Sequence, residues 1–76
     1  MPYAVLFQPA ARRELGKLER PIQRRVVVAI EALASDPHSP ECEKMSGFRD
    51  VWRIRVGIFR IVYRIEDRQL IVEVLR

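Results

Sequence analysis

With 76 residues, the chain suits one small domain, and a core of that size buries only about 60% of the unfolded surface, so stability is expected to be marginal. Hydrophobic residues make up 49% and charged residues 32% of the chain, the balance of a folded globular protein and not of a disordered tail. Net charge is +4. No apolar run approaches the ~20 residues of a membrane span, and MPYAVLFQPA at the start holds neither a basic leader nor a signal-like segment. A cytoplasmic location and no membrane partner are the expectation.

Tyr3 to Phe7 alternate weakly and predict a short strand ended by Pro9, bordering the main sheet. From Pro9 to about Leu18 the spacing of Ala11, Leu15 and Leu18 makes one helical stripe, with Pro9 where a first-turn proline is tolerated. Pro21 cannot continue that helix but can open another. The second helix runs to about Ser35, with Ile22, Val26, Ala29, Ile30 and Leu33 on its apolar side and Arg24, Arg25 and Glu31 near the opposite one. Three consecutive valines, Val26 to Val28, would also suit a strand, but the 3.6-residue period favours helix. Ser35 to Glu43, SDPHSPECE, has two prolines and no periodicity and reads as a loop. Lys44 to Asp50 leads out of it, with Ser46 and Gly47 as turn residues and Phe48 expected beneath the sheet.

Val51 to Ile65, VWRIRVGIFRIVYRI, alternates apolar and basic residues on both sides of Gly57, which predicts two strands and a turn. Trp52, Ile54 and Val56 share the core face with Phe59, Ile61, Tyr63 and Ile65. Matching the apolar faces sets Ile54 opposite Ile61, Arg55 beside Arg60 and Arg53 opposite Val62. Three guanidinium groups are then expected to converge, with Arg64 further along. A turn at Glu66 to Arg68 leads into a last strand, Gln69 to Leu75, with Leu70, Val72 and Val74 on the core side. Pairing Ile65 with Leu70 sets Glu73 opposite Val62, within reach of Arg60 and Arg64 as a structural ion pair.

The excess charge is concentrated in this hairpin. Arg49 to Arg64 hold five arginines and one acid, Asp50, whereas the rest of the chain carries nine basic and nine acidic groups. Like charges on adjacent strands repel, so the cluster is giving up stability unless an anion is expected there. Twelve of the fourteen basic residues are arginine, the side chain that grips phosphate or carboxylate with two prongs. Any one of them alone reads as a solvated sheet residue; the cluster reads as an anion site.

Other chemistries find little support. Cys42 is the single cysteine and His38 the single histidine, both in the loop, with no pairing or metal-ligand spacing. Neither a Gly-rich phosphate loop nor an internal repeat is present. No metal and no cofactor are expected, and a nuclease built on two histidines is excluded by inventory.

The strand, helical hairpin, proline-bearing loop and then W-R-I-R-V-G-x-x-R-I-V-Y-R-I resemble the RelE/ParE superfamily of bacterial toxin–antitoxin systems over nearly the whole chain, most specifically from Arg53 to Tyr63. The resemblance implies one toxin domain over residues 1–76 with an α+β fold: an N-terminal strand, a helical hairpin and a three-stranded antiparallel meander, the curved sheet carrying both helices on one face. It implies a ribosome-dependent endoribonuclease that cuts messenger RNA without a metal, inhibits translation and is silenced by a cognate antitoxin. The alternatives are a ParE-like poison of DNA gyrase and a catalytically silent antitoxin-binding domain. Carried over by position, Arg53, Arg55 and Arg60 are the catalytic residues.

The ribosome's phosphates would attract Arg12, Arg13, Arg24, Arg25 and Arg64, and the four on the helices read equally well as ordinary solvated charges. Arginine stands where family members often have lysine, and with a pKa above about 12 it stabilises charge but is no ordinary base. The family usually continues past the last strand into a segment with another arginine and a tyrosine, whereas this sequence stops at Arg76. Weakened or absent activity is therefore an expectation, as is self-association through an exposed sheet edge.

Overall fold

Two prolines open the helices, and three glycine- or aspartate-bearing turns separate the strands that follow them. The computed structural model describes residues 2–76. Its elements are strand β1 (Ala4–Phe7), helices α1 (Pro9–Lys17) and α2 (Arg20–Ser35), and strands β2 (Glu43–Lys44), β3 (Val51–Val56), β4 (Phe59–Glu66) and β5 (Gln69–Leu75). Pro9 and Pro21 lie in the first turns of their helices, where a missing N–H costs nothing. Leu18 and Glu19 alone separate the helices, and the Gln23 side-chain amide donates to the Leu15 carbonyl at 2.9 Å, capping the exposed end of α1 with a group from α2.

The five strands form one mixed sheet in the order β1-β5-β4-β3-β2. Strands β2 to β5 are antiparallel neighbours and β1 runs parallel to β5. The expected meander is thus extended at its far side by β2, inside the segments whose sequence predicts a loop and a lead-in. A two-residue strand shows no alternation, so its pattern was invisible. The expected registers hold: Ile54 faces Ile61, Arg55 faces Arg60, Arg53 faces Val62, and Glu73 faces Val62 from the other side.

Both helices cover the face carrying Ile61, Tyr63, Leu70 and Val72, which are wholly buried with Val26, Ile30 and Leu33 of α2. Ala11 of α1 closes a smaller cluster with Phe59 and Val74. Among the described residues, no helix lies on the other sheet face. Phe48 is found there and not beneath the sheet: it stands 60% exposed beside Val51, Val62 and Ile71. Positive φ at Gly47 (83°) and Asp50 (54°) turns the intervening residues outward.

Tyr63 ties the loop to the sheet. Its hydroxyl donates to the Pro37 carbonyl at 2.7 Å, and its ring is fully buried. Desolvation by burial, with Cys42 and Asp36 adding smaller effects, pushes the phenol far above its ordinary value of 10.0. The folded state therefore holds this proton more tightly than the unfolded chain. Stability from that source is complete below pH 10.0 and is lost as pH rises above it. Tyr63→Phe leaves the Pro37 carbonyl without a donor, and we expect a loss of about 1–3 kcal/mol at neutral pH. In urea unfolding series above pH 10.0, the wild-type chain should lose stability faster than Tyr63→Phe; parallel slopes would show that the phenol is not the titrating group.

Candidate functional site

On the helix-free face, Arg53, Val62 and Glu73 form one cross-strand row and Arg55, Arg60 and Leu75 the next. The register follows from the two-residue turn at Gly57 and Ile58, where Gly57 takes φ 61° at little steric cost. Arg55 and Arg60 are one step from that turn, in the alternating pair class whose side chains stand closer. With Gly57, Ile58, Phe59 and Arg76 they line a shallow depression of about 320 Å³. Arg76 reaches it because Leu75 is the partner of Arg60, which brings the next residue to the same corner.

Among the described residues, the only ion pairs are Arg53 with Glu43 at 3.3 Å and Arg64 with Glu66 at 2.9 Å. Arg55, Arg60 and Arg76 make no ion pair among the described residues. Arg55, Arg60 and Arg76 line one depression, and the expected Arg53 is not among its lining residues. Arg53 turns instead toward β2, where Glu43 is its cross-strand neighbour, and is only 26% exposed. Arg64 is likewise held by the acid two residues on, and it borders an apolar basin containing Met45, Phe48, Val51, Val62 and Ile71. Glu73 lines that basin and makes no ion pair among the described residues, so the expected contact with Arg60 or Arg64 is not formed.

The helix arginines divide into two groups. Arg25 reaches the hairpin turn, its Nη1 lying 4.0 Å from where a side chain on Gly57 would begin. Arg24 and Arg25 share a groove with Arg55 between α2 and β3. Arg13 instead borders a depression with Glu73 and Leu75, and Arg12 is exposed on α1.

Tyr63 is unavailable to this site, since it belongs to the opposite face and its hydroxyl is engaged. His38 is also on the far side, edge-on to Trp52 with ring centres 4.9 Å apart. No group of three or more His, Cys, Asp or Glu side chains that could hold a metal ion occurs among the described residues. The arrangement can bind an anion and stabilise charge developing on it; permanently charged guanidinium groups do not relay protons near neutral pH.

Comparison with known proteins assigns the chain. The family model of the ParE toxin of type II toxin–antitoxin systems, parDE, matches residues 5–76. The chain belongs to this family. Toxin RelG of Mycobacterium tuberculosis is 36% identical over 80 residues, spanning 100% of this chain and 88% of the relative. Among solved structures, the M. tuberculosis toxin–antitoxin complex RelBE2 has a chain 30% identical, with a TM-score of 0.80 and 100% and 99% of the two chains covered. The intact Escherichia coli RelBE toxin–antitoxin complex has one at 22% identity, TM-score 0.85, covering 97% and 95%; at that identity the likeness is one of fold.

The three arginines that line this toxin's depression at the hairpin turn set up a simple test. Inorganic phosphate should raise the melting temperature of the wild-type chain, and the rise should shrink in Arg60→Gln and vanish in Arg55→Gln/Arg60→Gln. Without added anion the double variant should melt at the same temperature or slightly higher, because cross-strand repulsion has been removed. Equal phosphate shifts in wild type and double variant would mean the pocket holds no anion.

Proposed function

We propose that this toxin is a ribosome-dependent endoribonuclease that cleaves messenger RNA and so inhibits translation in the cytoplasm, using neither metal nor cofactor. The carrying observation is the Arg55, Arg60 and Arg76 cluster, left without carboxylate partners on an uncovered sheet face. Exposed Phe48 on the same face adds a ring against which an unstacked base can lie, and arginine beside an exposed aromatic suits single-stranded RNA.

Cleavage by the neighbouring 2′-hydroxyl places growing negative charge on the phosphorus-bound oxygens. Arg55 and Arg60, facing each other across the hairpin, grip those oxygens from two strands, and their planar forks allow two-pronged contacts. Arg53, aligned by Glu43, and Arg64, aligned by Glu66, hold the RNA backbone to either side. Three phosphate contacts predict a salt slope of about −2 for free single-stranded RNA, which is weak binding at physiological salt. The ribosome therefore presents the messenger, and Arg12, Arg13, Arg24 and Arg25 meet its phosphates. The toxin–antitoxin complexes formed by the M. tuberculosis and E. coli relatives support a cognate antitoxin as the regulating partner here too.

A second reading, a gyrase-directed toxin, is favoured by the family description, which is that of the ParE toxin. An arginine-only site suits a binding poison as well as a nuclease. Two assays separate them: messenger cleavage on translating ribosomes, and gyrase supercoiling. Arg60→Ala should reduce cleavage by about 10²–10³-fold, the usual cost of removing one preorganised charge-stabilising donor, while the melting temperature is held. Supercoiling inhibition without any messenger cleavage would establish the second reading in place of the first.

A further inference from the structure

The tip of the β3–β4 hairpin holds the most exposed large apolar side chain among the described residues. Ile58 is 66% exposed, ahead of Phe48 at 60% and Val28 at 57%. Turn chemistry does not ask for it. Val56 pairs with Phe59, so Gly57 and Ile58 are the two central residues, and only Gly57 has positive φ. The second position of such a glycine-led turn ordinarily carries Asn, Asp or Ser. The chain's other two-residue turn, between Glu66 and Gln69, is built from two polar residues, Asp67 and Arg68.

Positive charge flanks this side chain. Arg55, Arg60 and Arg76 line a depression with it, and Arg25 reaches the turn from α2, its Nη1 4.0 Å from where a Cβ on Gly57 would stand. None of the four makes an ion pair among the described residues. An aliphatic side chain among guanidinium groups gains nothing from water or from a free phosphate ion. It suits a polymer that offers anionic groups and apolar faces side by side, which is what single-stranded nucleic acid presents in its phosphates and bases. A lipid surface combines the same two chemistries, but one isoleucine buries too little apolar area to hold a domain there; stable anchoring takes a whole apolar helix face or paired acyl chains.

We propose that Ile58 is an apolar wedge that enters between two successive bases of the RNA, while Arg55, Arg60 and Arg76 hold the phosphate joining those nucleotides and Arg25 holds the next one along. Aliphatic wedges, isoleucine among them, unstack base steps in nucleic-acid complexes, and the apolar surface that the wedge covers offsets the stacking lost. Stacked nucleotides keep the 2′-oxygen beside phosphorus, off the line opposite the leaving 5′-oxygen. Prising the bases apart frees the sugar to swing into that line. The 2′-oxygen then bonds to phosphorus as the bond to the 5′-oxygen breaks, giving a 2′,3′-cyclic phosphate and a 5′-hydroxyl. The proton lost by the first oxygen and the one gained by the second are exchanged with water. Ile58 is thus a positioning residue that takes no part in the bonds. Its place in catalysis rests on the proposed RNA cleavage; the unstacking does not.

The probe for unstacking is an oligoadenylate with 2-aminopurine at its centre and 2′-O-methyl groups throughout, which cannot be cut; 2-aminopurine is dark when stacked and fluoresces when released. At low salt the wild-type chain should raise its fluorescence, and Ile58→Leu should do the same. Ile58→Ser should bind within about tenfold of wild type by anisotropy, yet leave the fluorescence at the free-strand level. On translating ribosomes Ile58→Ser should lose about 10²-fold in kcat with KM held, the cost of misplaced reacting atoms, and Ile58→Leu should recover most of it. The serine variant should melt no lower than wild type, because the turn favours serine. Equal kcat for wild type and Ile58→Ser would overturn the proposal and leave the proposed function standing. A lower melting temperature in Ile58→Ser would return the residue to a packing role and overturn the wedge, as would anionic vesicles that bind wild type but not Ile58→Ser while the fluorescence changes in neither. Fluorescence that rises with wild type and Ile58→Leu alone, without any messenger cleavage by wild type, would uphold the wedge and overturn the nuclease.

Discussion

The two-residue turn at Gly57 and Ile58 is the constraint on which the rest of the molecule depends. A slip of one residue between β3 and β4 would move every side chain to the other face, exposing Ile61 and Tyr63 and burying arginines. Core burial and charge placement are therefore one decision. The register that puts Ile61 and Tyr63 into the wholly buried layer is the same one that sets Arg55 against Arg60 outside it. The repulsion of that pair is tolerated because separating the two residues would cost the apolar layer beneath them.

A second tie holds the loop that separates helices from sheet. Tyr63 reaches across 26 residues of chain to the Pro37 carbonyl, and a closure of that length costs chain entropy that the buried ring and its hydrogen bond must offset. The loop in turn places Glu43 beside Arg53. A packing residue on the covered face thus determines which arginine on the uncovered face is occupied and which are left free.

Alternation and turn chemistry made most of this legible in the sequence. Apolar spacing of two around Gly57 was enough for the hairpin, its register and the Arg55 and Arg60 pair, and spacing of three and four was enough for both helices. What escaped has specific causes. Glu43 and Lys44 are too few to show a strand period, so the sequence hides the partner of Arg53 and its alternation sets Arg53 with Arg55 and Arg60. Phe48 followed the ordinary preference of aromatics for cores, but left-handed backbone at Gly47 and Asp50 overrides it. Arg76 closes the cluster through the pairing of Arg60 with Leu75, and extending the Ile65 to Leu70 register to the end of β5 would have located it. Glu73 had the right register and no ion pair, because a cross-strand position permits a contact without compelling it.

The proposed function requires Arg55, Arg60 and Arg76 to act as one anion site while Arg53 remains with Glu43. Side-chain NMR of the arginine Nε–H groups during titration with a short single-stranded oligoribonucleotide reads this directly. Shifts of Arg55, Arg60 and Arg76 with a common affinity are expected, with smaller shifts at Arg53. Unrelated affinities for the three, or a response led by Arg53, would contradict a shared site at the hairpin turn.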